Sequence, residues 1–151
     1  MLIKQLTTET ELHDAYLLIR RTFNKTQKQY YSKKGAESFY SFLKEAICIC
    51  TFFPDAMLFL GLYSGKTLQG VCICRDAHIS ILFVDGKYQG KGIGKAFLEE
   101  AFLRLRAQKY KKLTVYAAPN AVEFYRKQGF MVMGRLTEHD GIQYVPMQVL
   151  L

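Results

Sequence analysis

The stretch Phe83-Val84-Asp85-Gly86-Lys87-Tyr88-Gln89-Gly90-Lys91-Gly92-Ile93-Gly94-Lys95 constrains this chain more than any other. It is preceded by a run, His78 to Val84, that reads as a strand. It leads into Gly92 to Gln108, where Ile93, Phe97, Leu98, Ala101, Phe102 and Leu105 recur at helical spacing. A strand entering a helix through a glycine-rich loop makes an anion site. The first helical turn leaves N–H groups unpaired, and the helix dipole favours negative charge there. Glycines at 90, 92 and 94 let the backbone approach a phosphate without a Cβ in the way. Lys91 and Lys95 add positive charge beside it.

Three phosphate-loop patterns compete for this segment. A Walker loop requires G-x-x-x-x-G-K-S/T, but Gly94-Lys95 is followed by Ala96 and position 89 is Gln. A dinucleotide fingerprint requires G-x-G-x-x-G, and the third glycine after Gly90-Lys91-Gly92 would fall at Lys95. The pattern Q/R-x-x-G-x-G/A is satisfied by Gln89-Gly90-Lys91-Gly92-Ile93-Gly94.

The rest of the chain supplies a frame for that loop. Leu2 to Leu6 reads as an edge strand, and a helix opening at Thr10 carries Leu12, Ala15, Tyr16, Ile19 and Phe23 on one stripe. Lys25 to Lys34 is polar with an exposed-looking Tyr30-Tyr31 pair, and a second helix is predicted from about Ala36 to Ile47. Met57 to Tyr63 and Thr67 to Cys74 form a hairpin around Ser64-Gly65, with His78 to Val84 as the next strand. Leu113 to Ala117 is a short strand, and Ala121 to Gln128 a short helix stopped by Gly129. Phe130 to Leu136 and Ile142 to Val149 close the chain as a hairpin around Asp140-Gly141. Strands and helices mix without strict alternation, so the class is α/β or α+β with a mixed sheet. No repeat or linker interrupts residues 1–151, which read as a single domain.

The four cysteines form two C-x-C pairs, Cys48–Cys50 and Cys72–Cys74. They could supply a four-sulfur zinc site, but structural zinc knuckles use C-x-x-C. On a strand, a two-residue spacing puts both side chains on one face, so buried reduced thiols with no metal are expected. The net charge is +8, from 21 Lys and Arg against 13 Asp and Glu, which suits a polyanionic partner. The basic residues are scattered, with short clusters at Lys33–Lys34 and Lys109 to Lys112, which argues against a nucleic-acid stripe. Met1 leads into Leu2-Ile3-Lys4-Gln5-Leu6 without a secretory pattern. No apolar run reaches the ~20 residues of a membrane span. The expected setting is the cytoplasm, with no membrane partner.

The run Val84 to Phe97 resembles the central motif of the GNAT (GCN5-related) N-acetyltransferase family. Thirty residues on, Ala121-Val122-Glu123-Phe124-Tyr125-Arg126-Lys127-Gln128-Gly129-Phe130 is similar to its A-x-x-F-Y-x-x-x-G-F motif. Gly141-Ile142-Gln143-Tyr144-Val145-Pro146-Met147 is similar to the tail of many small members. The resemblance covers about residues 57–151 well and the N-terminal third by element order alone.

The resemblance implies a mixed sheet splayed between its fourth and fifth strands, flanked by about four helices. It implies acetyl-coenzyme A as co-substrate, no metal, and direct acetyl transfer to a small-molecule or peptide amine. Backbone groups of Leu82, Phe83 and Val84 would pair with the pantetheine arm, and N–H groups from Gln89, Gly90, Lys91, Gly92, Ile93, Gly94 and Lys95 would hold the pyrophosphate. Tyr125 occupies the position of the tyrosine that protonates the departing thiolate in many members; the plain alternative is a packed aromatic. Asn120 stands immediately before Ala121, where it either contacts the cofactor or caps the helix.

His78 is the best candidate general base, since alternation puts it on one face with Ser80, Leu82 and Val84, although a lone His is often structural. Asp85 is a weaker option, being a turn-initiating residue. Acceptor selection would fall to Tyr30, Tyr31, Glu37 and Tyr40, with Lys25, Lys28, Lys33 and Lys34 opposing a cationic acceptor. A homodimer is left open. The rival reading is an acyl-CoA-binding module without turnover, which Tyr125 speaks against.

Overall fold

Thr8 starts the first helix, α1 (Glu9–Thr22), with a reciprocal cap. Its hydroxyl accepts from the Glu11 N–H at 3.2 Å, while the Glu11 carboxylate accepts from the N–H groups of Thr7 and Thr8 at 3.1 Å. Leu12, Ala15, Leu18 and Ile19 form the buried stripe. The chain then widens through a π-helical turn, Phe23–Gln27, and tightens in a single 3₁₀ turn, Lys28–Tyr30. Ser32 caps α2 (Lys33–Phe52) by accepting from the Gly35 N–H at 3.0 Å. The structure, a computed structural model, describes residues 2–151.

The second helix runs longer than the sequence pattern predicts, and it carries Cys48 and Cys50 with it. Ala36, Phe39, Leu43, Ala46 and Cys50 alternate three and four apart along its buried face. Two residues of helix turn about 200°, so Cys48 is exposed where Cys50 is buried. The expectation of a shared strand face is therefore corrected for this pair. It holds for Cys72 and Cys74, whose buried sulfurs lie 3.9 Å apart on a strand.

The sheet runs β1-β2-β3-β4-β5-β8-β6. Its strands are β1 (Leu2–Gln5), β2 (Leu58–Ser64), β3 (Thr67–Arg75), β4 (His78–Val84), β5 (Lys112–Ala117), β6 (Met131–Val132) and β8 (Ile142–Leu150), while β7 (Thr137–His139) pairs β8 off this path. The helices α3 (Ile93–Ala107) and α4 (Val122–Lys127) complete the set. The predicted strand Phe130 to Leu136 is broken. Pro146 of β8 accepts from the Met133 N–H at 2.8 Å but has no N–H to return, so the ladder stops there. The closing turn falls at Asp140-Gly141 as expected, both with positive φ, but the strand that pairs with β8 across it is Thr137–His139 and not Phe130 to Leu136.

Two features of β4 position everything that follows. It pairs in parallel with β5 only at His78 and Ile79, so the two strands part from Ser80 onward. It also carries a bulge: Ile73 of β3 opposes Ile81 while Cys74 opposes Ile79, leaving Ser80 as the extra residue. Alternation reverses there. Ile81 packs in the core beneath α1 and α2, and Ile79 in the core beneath α3 and α4.

Candidate active site

A cavity of about 590 Å³ opens where β4 and β5 diverge, within the usual range for small-molecule sites. Leu82 and Val84 of β4, the loop residues Gln89, Gly90 and Gly92, and the start of α3 at Ile93, Gly94 and Lys95 line it on one side. Asn120, Ala121, Phe124, Tyr125 and Gln128 line it on the other. Gly90 and Gly92 have φ of 78° and 79°, values that a side chain resists, and a Cβ at either would meet open space. The loop thus leaves open space beside its backbone at the start of α3.

The edge of β4 adds a second set of backbone groups. Asp85 donates its N–H to Gln69 on β3 at 2.9 Å, which fixes the alternation of the ladder. Phe83 therefore pairs inward with Val71, while Leu82 and Val84 turn their N–H groups away from β3 into the gap. The Val84 carbonyl is occupied by the Gln89 side-chain amide at 3.1 Å, which ties the loop to the strand. Phe83 and Lys91 do not line this cavity. The Phe83 ring turns toward Phe39, with centroids 6.3 Å apart, and the Lys91 ammonium lies 5.7 Å from the Tyr88 ring centre.

Tyr125 is 5% exposed and packs edge-on against Phe124 and Phe130. Its hydroxyl makes no hydrogen bond to the described residues, and the residue borders the cavity. Burial, with the nearby Cys72 and Cys74, pushes the phenol well above its ordinary pKa. Asn120 does not cap α4, whose cap residue is Ala121 without a side-chain bond. Its amide oxygen instead sits 3.5 Å from the Gln27 amide nitrogen at the cavity wall.

His78 lies elsewhere. The bulge at Ser80 puts it out of phase with Leu82 and Val84, so the expected common face does not exist. Its Nδ1 is 2.7 Å from the Thr114 hydroxyl and its ring packs edge-on to Tyr116 at 4.7 Å. Burial lowers its pKa, keeping the ring neutral. It borders neither cavity. Asp85 is also committed, in an ion pair with Arg21 at 2.7 Å. Burial raises its pKa, but the Arg21 and Lys87 contacts more than offset this.

A smaller pocket, about 80 Å³, continues from the first between the parted strands. Tyr31, Phe39, Ser80, Phe83, Tyr116 and Gln143 surround it. Tyr31 is not the exposed residue that the sequence suggests: it packs edge-on to Phe23 at 4.8 Å. The sequence also gives no sign of Gln27, which borders both cavities from the π-helical turn. Phe124 could have been read from the F-Y pair of its motif.

Residues 27–151 match the family profile described as Acetyltransferase (GNAT) domain. The chain belongs to the GNAT acetyltransferase family. Among curated relatives, a peptidyl-lysine N-acetyltransferase of Salmonella typhimurium is 30% identical over 95 residues, 61% of this chain and 62% of that one. A histone acetyltransferase of Glycine max is 40% identical over 55 residues, 36% of this chain and 24% of that one. The chain thus spans less than two thirds of these relatives. A GCN5-related N-acetyltransferase from Rhodopseudomonas palustris shares the fold at TM-score 0.80 and 18% identity, over 99% of this chain and 95% of that one. The PaiA N-acetyltransferase of Thermoplasma acidophilum, crystallised with coenzyme A, does so at 0.74 and 21%, over 99% and 98%. This GNAT fold agrees with the mixed, splayed sheet and flanking helices expected from the sequence.

Proposed function

We propose that the chain is an N-acetyltransferase that carries the acetyl group of acetyl-CoA directly to an amine. The observation that carries this reading is the continuity of the cavity. It runs from the glycine loop, past the unpaired N–H groups of β4, to the buried hydroxyl-bearing Tyr125. The family membership and a CoA-bound fold neighbour support it. Residues 1–151 act as one domain in this proposal, with the cytoplasm as its setting.

The donor set suits coenzyme A. Loop N–H groups at Gly90 to Gly94 offer a phosphate cradle at a helix start, and Lys95 is held only by an exposed 4.0 Å pair with Glu99, so it is free to turn to an anion. The N–H groups of Leu82 and Val84 can bind an amide-bearing arm as a further strand would. The Val84 N–H is positioned to stabilise negative charge on a thioester oxygen. Acetyl-CoA supplies the activated acyl group. The amine lone pair bonds to the acetyl carbon, the C–S bond breaks onto sulfur, and the Tyr125 hydroxyl hands a proton to that sulfur. The proton lost by the nitrogen restores the phenol. Holding both substrates in contact supplies much of the rate.

Steady-state CoA release from acetyl-CoA with a panel of amines tests the proposal. Turnover with at least one amine class is expected. Tight acetyl-CoA binding with no release for any amine would instead indicate an acyl-CoA-binding module.

A further inference from the structure

The large cavity and the small pocket meet at Gln27, Leu82, Ala121 and Tyr125. Of these, only Gln27 and Tyr125 carry polar side-chain groups. Gln27 is the last residue of the π-helical turn Phe23–Gln27, a geometry that inserts an extra residue per turn and recurs at functional sites. Its amide nitrogen lies 3.3 Å from the Thr26 hydroxyl and 3.5 Å from the Asn120 carbonyl oxygen. Thr26 is itself anchored by its 2.8 Å bond to the Thr22 carbonyl. With the nitrogen directed to these oxygens, the Gln27 Oε1 has no partner among the described residues and is free to accept an N–H at the junction.

The pocket beyond is neutral. Tyr31 from the loop before α2, Ser80 from β4, Tyr116 from β5 and Gln143 from β8 supply its polar atoms. Behind Tyr116 stand Tyr144, at 4.4 Å between ring centres, and the neutral His78. No charged residue lines the pocket; Asp85 pairs with Arg21, and Lys25, beside Gln27 in sequence, is exposed. An ammonium entering here would lose its hydration without gaining a carboxylate, whereas a neutral amine can donate to Oε1.

We propose that Gln27 receives the acceptor, its Oε1 accepting an N–H of the attacking amine, and that the neutral pocket around it selects weakly basic primary amines such as peptide N-termini over lysine side chains. This rests on the acetyltransferase reading above. An α-amine has a pKa of about 7.7–8.0 against about 10.4 for lysine. At pH 7.5 the uncharged fractions are then about one third and about one thousandth, a difference of roughly 250-fold. A neutral amine also closes the proton balance, since the proton that nitrogen loses is the one that sulfur gains.

The test uses two short peptides of one sequence, one with a free α-amine and an acetylated lysine, the other with the blocking reversed. Wild-type kcat/KM at pH 7.5 should favour the α-amine at least 100-fold, about the pKa difference, and the preference should narrow by pH 9.5. Gln27→Leu should raise the acceptor KM about tenfold, the order expected for one lost hydrogen bond, with acetyl-CoA affinity little changed by calorimetry. Gln27→Glu, which still accepts an N–H, should recover the acceptor KM. Its carboxylate should also move the pH profile down and shrink the α-over-ε preference. Equal use of the two peptides, a lysine preference, turnover confined to strongly basic amines, or an unchanged acceptor KM in Gln27→Leu overturns the proposal while leaving the acetyltransferase reading intact. A Gln27→Glu variant with the wild-type profile and ratio does the same. Absence of CoA release with every amine overturns both.

Discussion

Burial among Phe124 and Phe130, with the two β3 thiols nearby, penalises the Tyr125 phenolate and pushes its pKa well up. In the proposed mechanism such a donor adds no ionisation of its own to the rate profile, so pH dependence should come from the amine. Tyr125→Phe removes one oxygen and keeps the ring packing. It should lower kcat by about 10²–10⁴, the usual size of a general-acid contribution, with acetyl-CoA affinity and melting temperature nearly unchanged. Near-normal turnover in stopped or steady-state assays would mean that sulfur takes its proton from water. Gly92 tests the other end of the cavity. Its φ of 79° resists any side chain, although a Cβ there would meet nothing. Gly92→Asp adds a negative charge beside the proposed phosphate cradle, while Gly92→Ala adds strain alone. Calorimetry should find acetyl-CoA binding weakened more than tenfold beyond the alanine variant, since charged contacts of this kind are worth about 1.5–3 kcal/mol. Equal affinity in the two variants would remove the phosphate from that loop.

Helix α2 and the β7–β8 hairpin are joined where glycine meets glycine. Ser32 donates its N–H to the Gly141 carbonyl at 2.7 Å, and a Cβ on Gly35 would stand 2.4 Å from that same oxygen. Tyr31 bridges to Ile142 in the same contact, so one wall of the small pocket depends on it. Gly35→Ala must push the hairpin from the helix. A loss of about 1–3 kcal/mol in thermal unfolding is expected, with the acceptor KM raised and acetyl-CoA affinity unaffected. Equal weakening for both substrates would mean that the hairpin supports the whole cavity. At the start of α1, Glu11 accepts two N–H bonds and pairs with Lys4 of β1. Burial raises its pKa, but these partners bring it down from 4.5 to about 2. The folded value lies below the unfolded one, so its stabilisation is complete above pH 4.5 and is lost as pH falls toward 2. Lys4 is half exposed and screened, so Glu11→Gln, which keeps an acceptor for the cap N–H groups, should cost at most about 1 kcal/mol at neutral pH, through the lost negative charge at the helix start. That cost should vanish in acid unfolding near pH 2. These elements also mark what sequence can and cannot carry. Periodicity located β4 and α3 to within a residue, because each buries a regular stripe. It missed the Ser80 bulge and hence the face of His78, since a bulge is decided by pairing across strands. It read Cys48 and Cys50 as strand residues because a C-x-C spacing fits either period until the neighbouring helix is known.

One sheet separates two cores, with α1 and α2 packed on Phe59, Val71 and Ile81 and with α3 and α4 packed on Leu60, Cys72 and Ile79. The splay between β4 and β5 is where the layers stop being continuous, and both cavities occupy that discontinuity. The glycine loop was legible in the sequence because a phosphate cradle needs local residues in a fixed order. The junction residue Gln27 was not, because its place depends on a π-helical turn within a polar stretch and on strands 50 or more residues away. Charge acts at this largest scale. The chain carries +8 overall, and Lys87, Lys91 and Lys95 surround the loop, so the field favours a ligand with several phosphates and does little for a neutral amine. Salt should therefore separate the two substrates. Raising ionic strength from about 0.05 to 0.5 M shortens the screening length from roughly 14 to 4 Å, below the distance over which scattered lysines act together. The association rate and affinity for acetyl-CoA, measured by stopped flow and calorimetry, should fall about tenfold, while the KM for a neutral peptide acceptor at saturating acetyl-CoA should hold steady. If acetyl-CoA affinity survives high salt, the loop's N–H groups hold the phosphates alone and the lysines are a solvated surface. If the acceptor KM rises instead, the acceptor is an anion drawn to the same basic face, and the neutral pocket at Gln27 would have to receive a more acidic peptide than its lining suggests.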